Sequence, residues 1–294
     1  MDKIIVLMGG TSNEREVSLL SGKNVADALE SLGKYEVARA DLKEDNLNGV
    51  DLHGATKAYI ALHGGWGENG GVQGVLNEFR IPYTGPGKKA SEIAMDKIAT
   101  KKILDAAGIP NARWAVNEKK NPFGYPVVVK VPRDGSSVGV FLAHNDEEYK
   151  AAIEKCWEID GKEALIEEYI PGREMTVGVI GETALPVVEI VAKGGWYGYE
   201  EKYNSNETKY PFLEDGPLSR ELQDLAVKTF KAVGCRGVTR IDFRVSPEGK
   251  PYVLELNTSP GFTGHSLVPK AGMKTGLTFA EVCDKILNTA DYDK

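Results

Sequence analysis

The sequence predicts an α/β protein that shifts to α+β in its carboxyl-terminal parts, and three observations carry that reading. Over residues 3–85, short β-rich runs alternate with segments of helical periodicity, the pattern of a parallel sheet. Farther along, apolar runs at 237–245 and 252–256 flank a Ser-Pro-Glu-Gly turn, the mark of an antiparallel hairpin. At 294 residues the chain is too long for one small core and suits two or three compact units.

Composition then narrows the class. A hydrophobic share of 41% with 27% charged residues describes an ordinary globular chain, and a net charge of −7 offers no basic footprint for nucleic acid. No apolar run approaches the roughly 20 residues that cross a bilayer. The opening residues read as a short strand rather than a secretory signal, whose apolar region would be longer and end in small residues. Cys156, Cys235 and Cys283 are odd in number and scattered, as expected of reduced thiols in a cytoplasmic protein.

Taken in order, a strand over 3–8 runs into Gly9-Gly10-Thr11-Ser12-Asn13-Glu14. A helix follows, because Val25, Ala28, Leu29 and Leu32 recur at helical spacing before Gly33. Strands at 35–40 and 58–62 come next, the second opening into a glycine-rich loop that begins at His63. A helix over 72–79 and an extended 81–85 complete the unit, whose ligand sites are expected at the carboxyl ends of its strands. The first loop lacks a full dinucleotide fingerprint, and its glycines alone equally describe a tight turn. Glu14, an acid at the head of a helix where N–H groups converge, favours a binding role.

A single helix is expected over 86–108; within it Lys97, taken alone, reads as a solvated lysine. Strands then flank a loop over 133–139, in which small residues free backbone N–H groups for phosphate and Ser136 and Ser137 add donors. Lys130 lies inside an otherwise apolar strand, a costly placement unless an anion pairs with it. A plain hairpin turn is the alternative. Asn145 and Glu148 suggest a capping box on a structural helix whose buried stripe includes Cys156 and Trp157. Glu167 and Glu174 flank the next turn, where they could accept from a base or ribose or equally face solvent. Strands at 173–180 and 184–191 are expected to continue that antiparallel array. The long polar stretch 193–216, with Lys202 and Tyr203 in its middle, has the length of a lid.

After an amphipathic helix over 219–233, the terminal hairpin carries the chemistry. Arg240 and Asp242 share a face of its first strand, and Glu255 and Asn257 alternate at the end of the second. Two carboxylates and a carboxamide, with no sulfur or imidazole, suit magnesium. A solvated face with a chance salt bridge is the alternative. The last helix has a Thr278–Glu281 capping box, and the tail from 291 should fray.

Together these motifs resemble the ATP-grasp ligases. Gly9 to Ser18, Ala61-Leu62-His63-Gly64, Tyr83 to Gly87, Met95-Asp96-Lys97, Gly135 to Gly139, Arg240-Ile241-Asp242 and Glu255 to Gly261 are similar, in order and spacing, to the D-alanine–D-alanine ligase family. The likeness runs from residue 4 to about 287. It implies a Rossmann-like substrate-binding domain over 1–86, an ATP-grasp subdomain over 87–180 and a carboxyl-terminal ATP-grasp domain over 181–294. It implies ATP and two magnesium or manganese ions as cofactors, D-alanine as substrate, a peptidoglycan precursor as product, and a homodimer.

Residue by residue, the resemblance gives Lys97, Lys130, Ser136 and Ser137 to the ATP phosphates, and Glu167 and Glu174 to adenine and ribose. It gives Asp242, Glu255 and Asn257 to the metals, and Glu14, with His63 nearby, to the first D-alanine. Arg240 and the Gly261 N–H become the oxyanion donors; Ser266 meets the second substrate's carboxylate, and Lys202 and Leu267 are further substrate-binding residues. Tyr203 becomes a lid residue bonded toward Ser136 and Glu14, which favours an amine as second nucleophile. Lys130-Val131-Pro132-Arg133 departs from the family's usual Lys-Pro-Ser/Ala-Arg without touching a residue given a role.

Overall fold

The first strand, β1 (Asp2–Gly9), is apolar on consecutive residues because both its faces are covered. It lies at the centre of a parallel sheet ordered β2-β1-β3, with β2 at Tyr35–Leu42 and β3 at Ala55–Ile60. Helix α1 (Arg15–Ser31) packs Val25, Ala26 and Leu29 over Ile4 and Val6, while Val72 and Leu76 of α3 (Gly71–Glu78) meet Ile5 and Leu7. The one-turn α2 (Gly65–Glu68) lies between β3 and α3. This structure is a computed structural model and describes residues 1–293 except 134, 136–138, 162, 193–207 and 265. Among the described residues no helix is long and apolar enough to cross a membrane.

The expected helix over 86–108 is two helices, α4 (Lys88–Met95) and α5 (Lys97–Ala106). Asp96 breaks them. Its backbone is extended, and its carboxylate accepts from the N–H groups of Ile98 and Ala99 at 2.9 and 3.0 Å, an N-cap. The break makes Lys97 the first residue of a new helix.

A four-stranded antiparallel sheet follows, ordered β4-β7-β5-β6 from Trp114–Val116, Leu165–Glu168, Val127–Lys130 and Val140–Ala143. Helix α6 (Asp146–Asp160) sets Tyr149, Ala152, Ile153 and Cys156 against Val127, Val129 and Ile166. Strand alternation therefore turns Lys130 and Glu167 to the opposite face. Trp157, expected in the buried stripe, is 40% exposed and donates its indole N–H to Asn117. Glu148 reaches the N–H of His144, not that of Asn145, so Asn145 caps α6 without the reciprocal half of a box.

At Pro171-Gly172 the chain changes sheets. β8 (Arg173–Ile180) does not extend the previous array; it pairs with β11 (Val238–Val245) in a sheet ordered β10-β8-β11-β12. β9 (Thr183–Ala184) lies beside β8, β10 is Val188–Ile190 and β12 is Pro251–Asn257. Met175, Val177, Ile241 and Phe243 face Leu222, Ala226, Phe230 and Val233 of α7 (Pro217–Val233). The described end of the expected loop is ordered along β10, with Phe212 bridged to Val188 and Lys209 to Val191. Two helices, α8 (Leu267–Lys274) and α9 (Phe279–Leu287), close the chain, and α9 packs Val282, Cys283 and Ile286 into the core beside α1. The Thr278–Glu281 box is present. The described part of the tail, 291–293, does not fray: Asp291 bridges Tyr83, and Asp293 accepts the N–H of Lys88 at 2.8 Å.

Candidate active site

The hairpin β11–β12 pairs Arg240 with Asn257 and Asp242 with Glu255, directly across the ladder. On its other side β8 contributes Thr176 opposite Asp242 and Glu174 opposite Arg244. One sheet face is thus hydrophobic under α7 and the other carries charge. Asp242 is 5% exposed, which rules out the solvated-face reading. Arg240 donates to it through Nε at 2.9 Å and Nη2 at 2.7 Å, and the Thr176 hydroxyl adds 2.6 Å. A buried carboxylate needs such partners. Arg244, also buried, lies 3.6 Å from Glu174 and donates to the Ile170 carbonyl.

Facing this surface are the lysines. Lys130 Nζ lies 2.7 Å from Glu167 Oε2, and Lys101 Nζ lies 3.2 Å from Oε1. The second pair is close enough for charge but out of line for a hydrogen bond, so Oε1 is a buried acceptor without a donor. Burial opposes both ionised lysines. For Lys130 the nearby Glu167, Glu255 and Glu174 outweigh it and hold the ammonium above the ordinary lysine pKa. For Lys101 burial prevails, with Lys130 adding repulsion, and its pKa is lowered. Burial would raise Glu167, yet the two lysines keep it below the usual carboxylate value. Lys97, whose side chain is 11% exposed rather than solvated, sits 3.8 Å from Glu255.

Between these surfaces and the ends of β1 and β3 lies a cavity of about 320 Å³. Lys97, Arg240, Glu255 and Asn257 line one side; Glu14, His63 and Glu68 line another; Gly261, Ser266 and Leu267 close a third. Val17 and Leu20 of α1 and Val268 of α8 supply an apolar wall. Glu14 heads α1 and packs against Gly64, where any Cβ would come within 2.9 Å of its Oε2; Gly64 also has φ +68°. His63 is buried; its Nδ1–H donates to the Ser259 carbonyl and its Nε2 accepts from the Ser21 hydroxyl, both at 2.9 Å. That neutral tautomer agrees with a pKa lowered by burial, with Arg240 acting in the same sense. Ser266, the residue before α8, accepts the Thr263 N–H at 2.9 Å and would crowd any side chain at position 261. A helix N-terminus at this wall suits a carboxylate.

Of the residues expected from sequence, the cavity gathers Glu14, His63, Lys97, Arg240, Glu255, Asn257, Gly261, Ser266 and Leu267. Lys130, Glu167, Glu174 and Asp242 stand behind or beside it, held by the ion pairs above. Ser136, Ser137, Lys202 and Tyr203 lie outside the described residues. Two groups were missed. Glu68 lines the cavity, and its carboxyl is pushed up to about 8, by burial first and then by the Glu14 and Glu255 charges. An acid inside the glycine-rich loop was a signal of the kind that singled out Glu14. Lys101, one turn after Lys97, is the other.

Glu255, Asn257 and Asp242 form an all-oxygen donor set that fits a hard divalent cation. Asn257 Oδ1 also accepts the Ser259 N–H at 3.0 Å, which fixes the carboxamide orientation. Among the described residues no group of three or more His, Cys, Asp or Glu is placed to hold a metal; here the third donor is the carboxamide.

A parallel α/β unit and two antiparallel sheets whose charged faces look at each other across a cleft define the ATP-grasp class. A family profile described as the D-ala D-ala ligase C-terminus matches residues 98–288. The D-alanine–D-alanine ligase of Syntrophotalea carbinolica is 44% identical, covering 99% of this chain and 97% of its own length. The Bacillus anthracis D-alanine–D-alanine ligase complexed with ATP superposes with TM-score 0.85 at 31% identity, covering 98% of this chain and 97% of that one. The VanG D-Ala:D-Ser ligase of Enterococcus faecalis gives TM-score 0.86 at 28% identity, covering 98% and 99%. The chain belongs to the D-alanine–D-alanine ligase family.

Proposed function

We propose that the protein joins two D-alanine molecules at the expense of ATP, through a D-alanyl phosphate, giving the dipeptide, ADP and phosphate. One observation carries this reading: a single cavity faces acids and a neutral imidazole on one wall with Lys97, Arg240, Glu255 and Asn257 on another. A carboxylate is a poor acyl donor until phosphorylated, and phosphoryl transfer asks a protein mainly for alignment and charge neutralisation. In this reading Lys97 and Lys130 hold the phosphates, together with Ser136 and Ser137. Glu167, held between the two lysines, meets the adenine amino group, and Glu174 takes the ribose.

Glu14 binds the ammonium of the first D-alanine, with His63 behind it, and the apolar wall receives the methyl group. Arg240 and the Gly261 N–H stabilise the oxyanion as the second amine attacks. Ser266, Leu267 and Lys202 receive the second carboxylate, and Tyr203 completes the closed site. Asp242, Glu255 and Asn257 would hold two magnesium or manganese ions, whose positive charge offsets that of the polyphosphate. The reading divides the chain at 86 and, in place of the expected 180, at Pro171-Gly172, because β8 shares its sheet with β11. It assigns the enzyme to peptidoglycan precursor synthesis in the cytoplasm, as a homodimer; the free thiols Cys156, Cys235 and Cys283 agree with that compartment.

The test is phosphate release and dipeptide formation from ATP and magnesium with D-alanine or L-alanine. Release with D-alanine alone supports the reading, and no release with either sinks it. D-Serine belongs in the same assay, given the likeness to a D-Ala:D-Ser ligase.

A further inference from the structure

Helix α5 sends two lysines inward, one turn apart and on the same side. Lys97 reaches the cavity; Lys101 does not. Lys101 is 2% exposed; it donates to Asn111 Oδ1 at 3.1 Å and to the Ala112 carbonyl at 3.3 Å, and its charge lies 3.2 Å from Glu167 Oε1. None of the steps above uses it. A buried ammonium is costly, and an apolar side chain of similar volume would fill the same space at less cost.

The arrangement of charge supplies a reason. Glu167 brings one negative charge to two ammonium groups, Lys130 on Oε2 and Lys101 beside Oε1. All three are nearly enclosed, and Lys130 is the member that extends toward the opposing sheet, where Glu174 and Glu255 act on it. With Lys101 in place, Glu167 is pinned from behind and shared, so only part of its charge is committed to Lys130. Without Lys101, the carboxylate could turn both oxygens to Lys130, neutralise it and draw it back from the cleft.

We infer that Lys101 is a positioning residue for nucleotide phosphates: acting through Glu167, it holds Lys130 at the cleft with its positive charge only partly claimed. The inference rests on the proposal that Lys130 meets the phosphates of ATP.

The test compares K101M, K101Q and K101R with the wild type in steady-state kinetics and in competition by ADP and by adenosine. K101M and K101Q are expected to raise KM for ATP roughly tenfold, the scale of one buried charge acting over several ångström. KM for D-alanine and kcat should stay within about twofold, and K101R should recover most of the loss, as a retained charge would. ADP should bind more weakly by the same factor while adenosine, which has no phosphate, should not. Two folded variants that lack the charge guard against one of them failing to fold.

An unchanged KM for ATP in K101M and K101Q would overturn the inference. So would equal losses of ADP and adenosine, or a rise in both substrates' KM that K101R does not repair. A wild type that releases no phosphate would overturn the ligase reading instead; ADP and adenosine binding, followed by thermal shift, would still decide the role of Lys101.

Discussion

Asp242 on β11 and Glu255 on β12 stand directly opposite each other on one face of the hairpin, two carboxylates where like charges repel. The fold tolerates the pair by holding Asp242 with Arg240 and Thr176 and by bringing Lys97 to 3.8 Å from Glu255. Neither acid is there for stability. E255Q should therefore lower phosphate release by at least about a hundredfold, the scale of one lost electrostatic stabiliser, while leaving Tm unchanged or slightly higher. Release assays and melting curves on the same preparation check both halves.

Asp96 separates two jobs that substitution can distinguish. Its Oδ1 caps α5 and its Oδ2 accepts from Arg133 at 3.0 Å, at the base of the glycine-serine loop. D96N keeps a cap and loses the charge pair, so it should cost well under about 1 kcal/mol, as exposed pairs do. D96A loses the cap as well and should cost about 1 kcal/mol more. Urea denaturation measures the difference.

Gly64 admits the Glu14 carboxylate and holds a left-handed backbone. G64A should destabilise the protein by about 1–3 kcal/mol through backbone strain. It should also raise KM for D-alanine more than KM for ATP, since it displaces Glu14 and leaves the lysines alone. Equal changes in the two constants would argue against Glu14 as the amine partner.

Glu68 makes stability depend on pH. Its folded pKa of about 8 lies above the ordinary carboxyl value of 4.5, so the folded state binds a proton more tightly than the unfolded chain. The stability linked to that proton is fully present below pH 4.5 and is lost as pH rises through 8. E68Q, which cannot ionise, should flatten the fall between pH 5 and 8 and melt higher than wild type at pH 8. Melting curves across that range, with the two proteins in parallel, show whether the slope belongs to this carboxyl.

Strands and the terminal hairpin were legible because strand alternation exposes polar residues such as Arg240 and Asp242 within apolar runs. The split of the 86–108 segment was hidden: Asp96 is a good N-cap, but the apolar spacing runs through it without a glycine or proline. Sheet membership was also hidden, since Glu168 and Arg173 are only five positions apart yet belong to different sheets. Lys101 could not be singled out because its value depends on Glu167, sixty-six positions away, and periodicity does not report such pairings. The docked tail is a similar case, with Asp293 taking the N–H of Lys88 across most of the chain.

The central claim is that this site activates a D-alanine carboxylate by moving a phosphoryl group onto it. The most direct measurement supplies D-alanine labelled with ¹⁸O in its carboxylate, together with ATP and magnesium, and analyses the released phosphate by mass. One labelled oxygen carried into the phosphate is the predicted result. Phosphate released at the full catalytic rate without the label would contradict it.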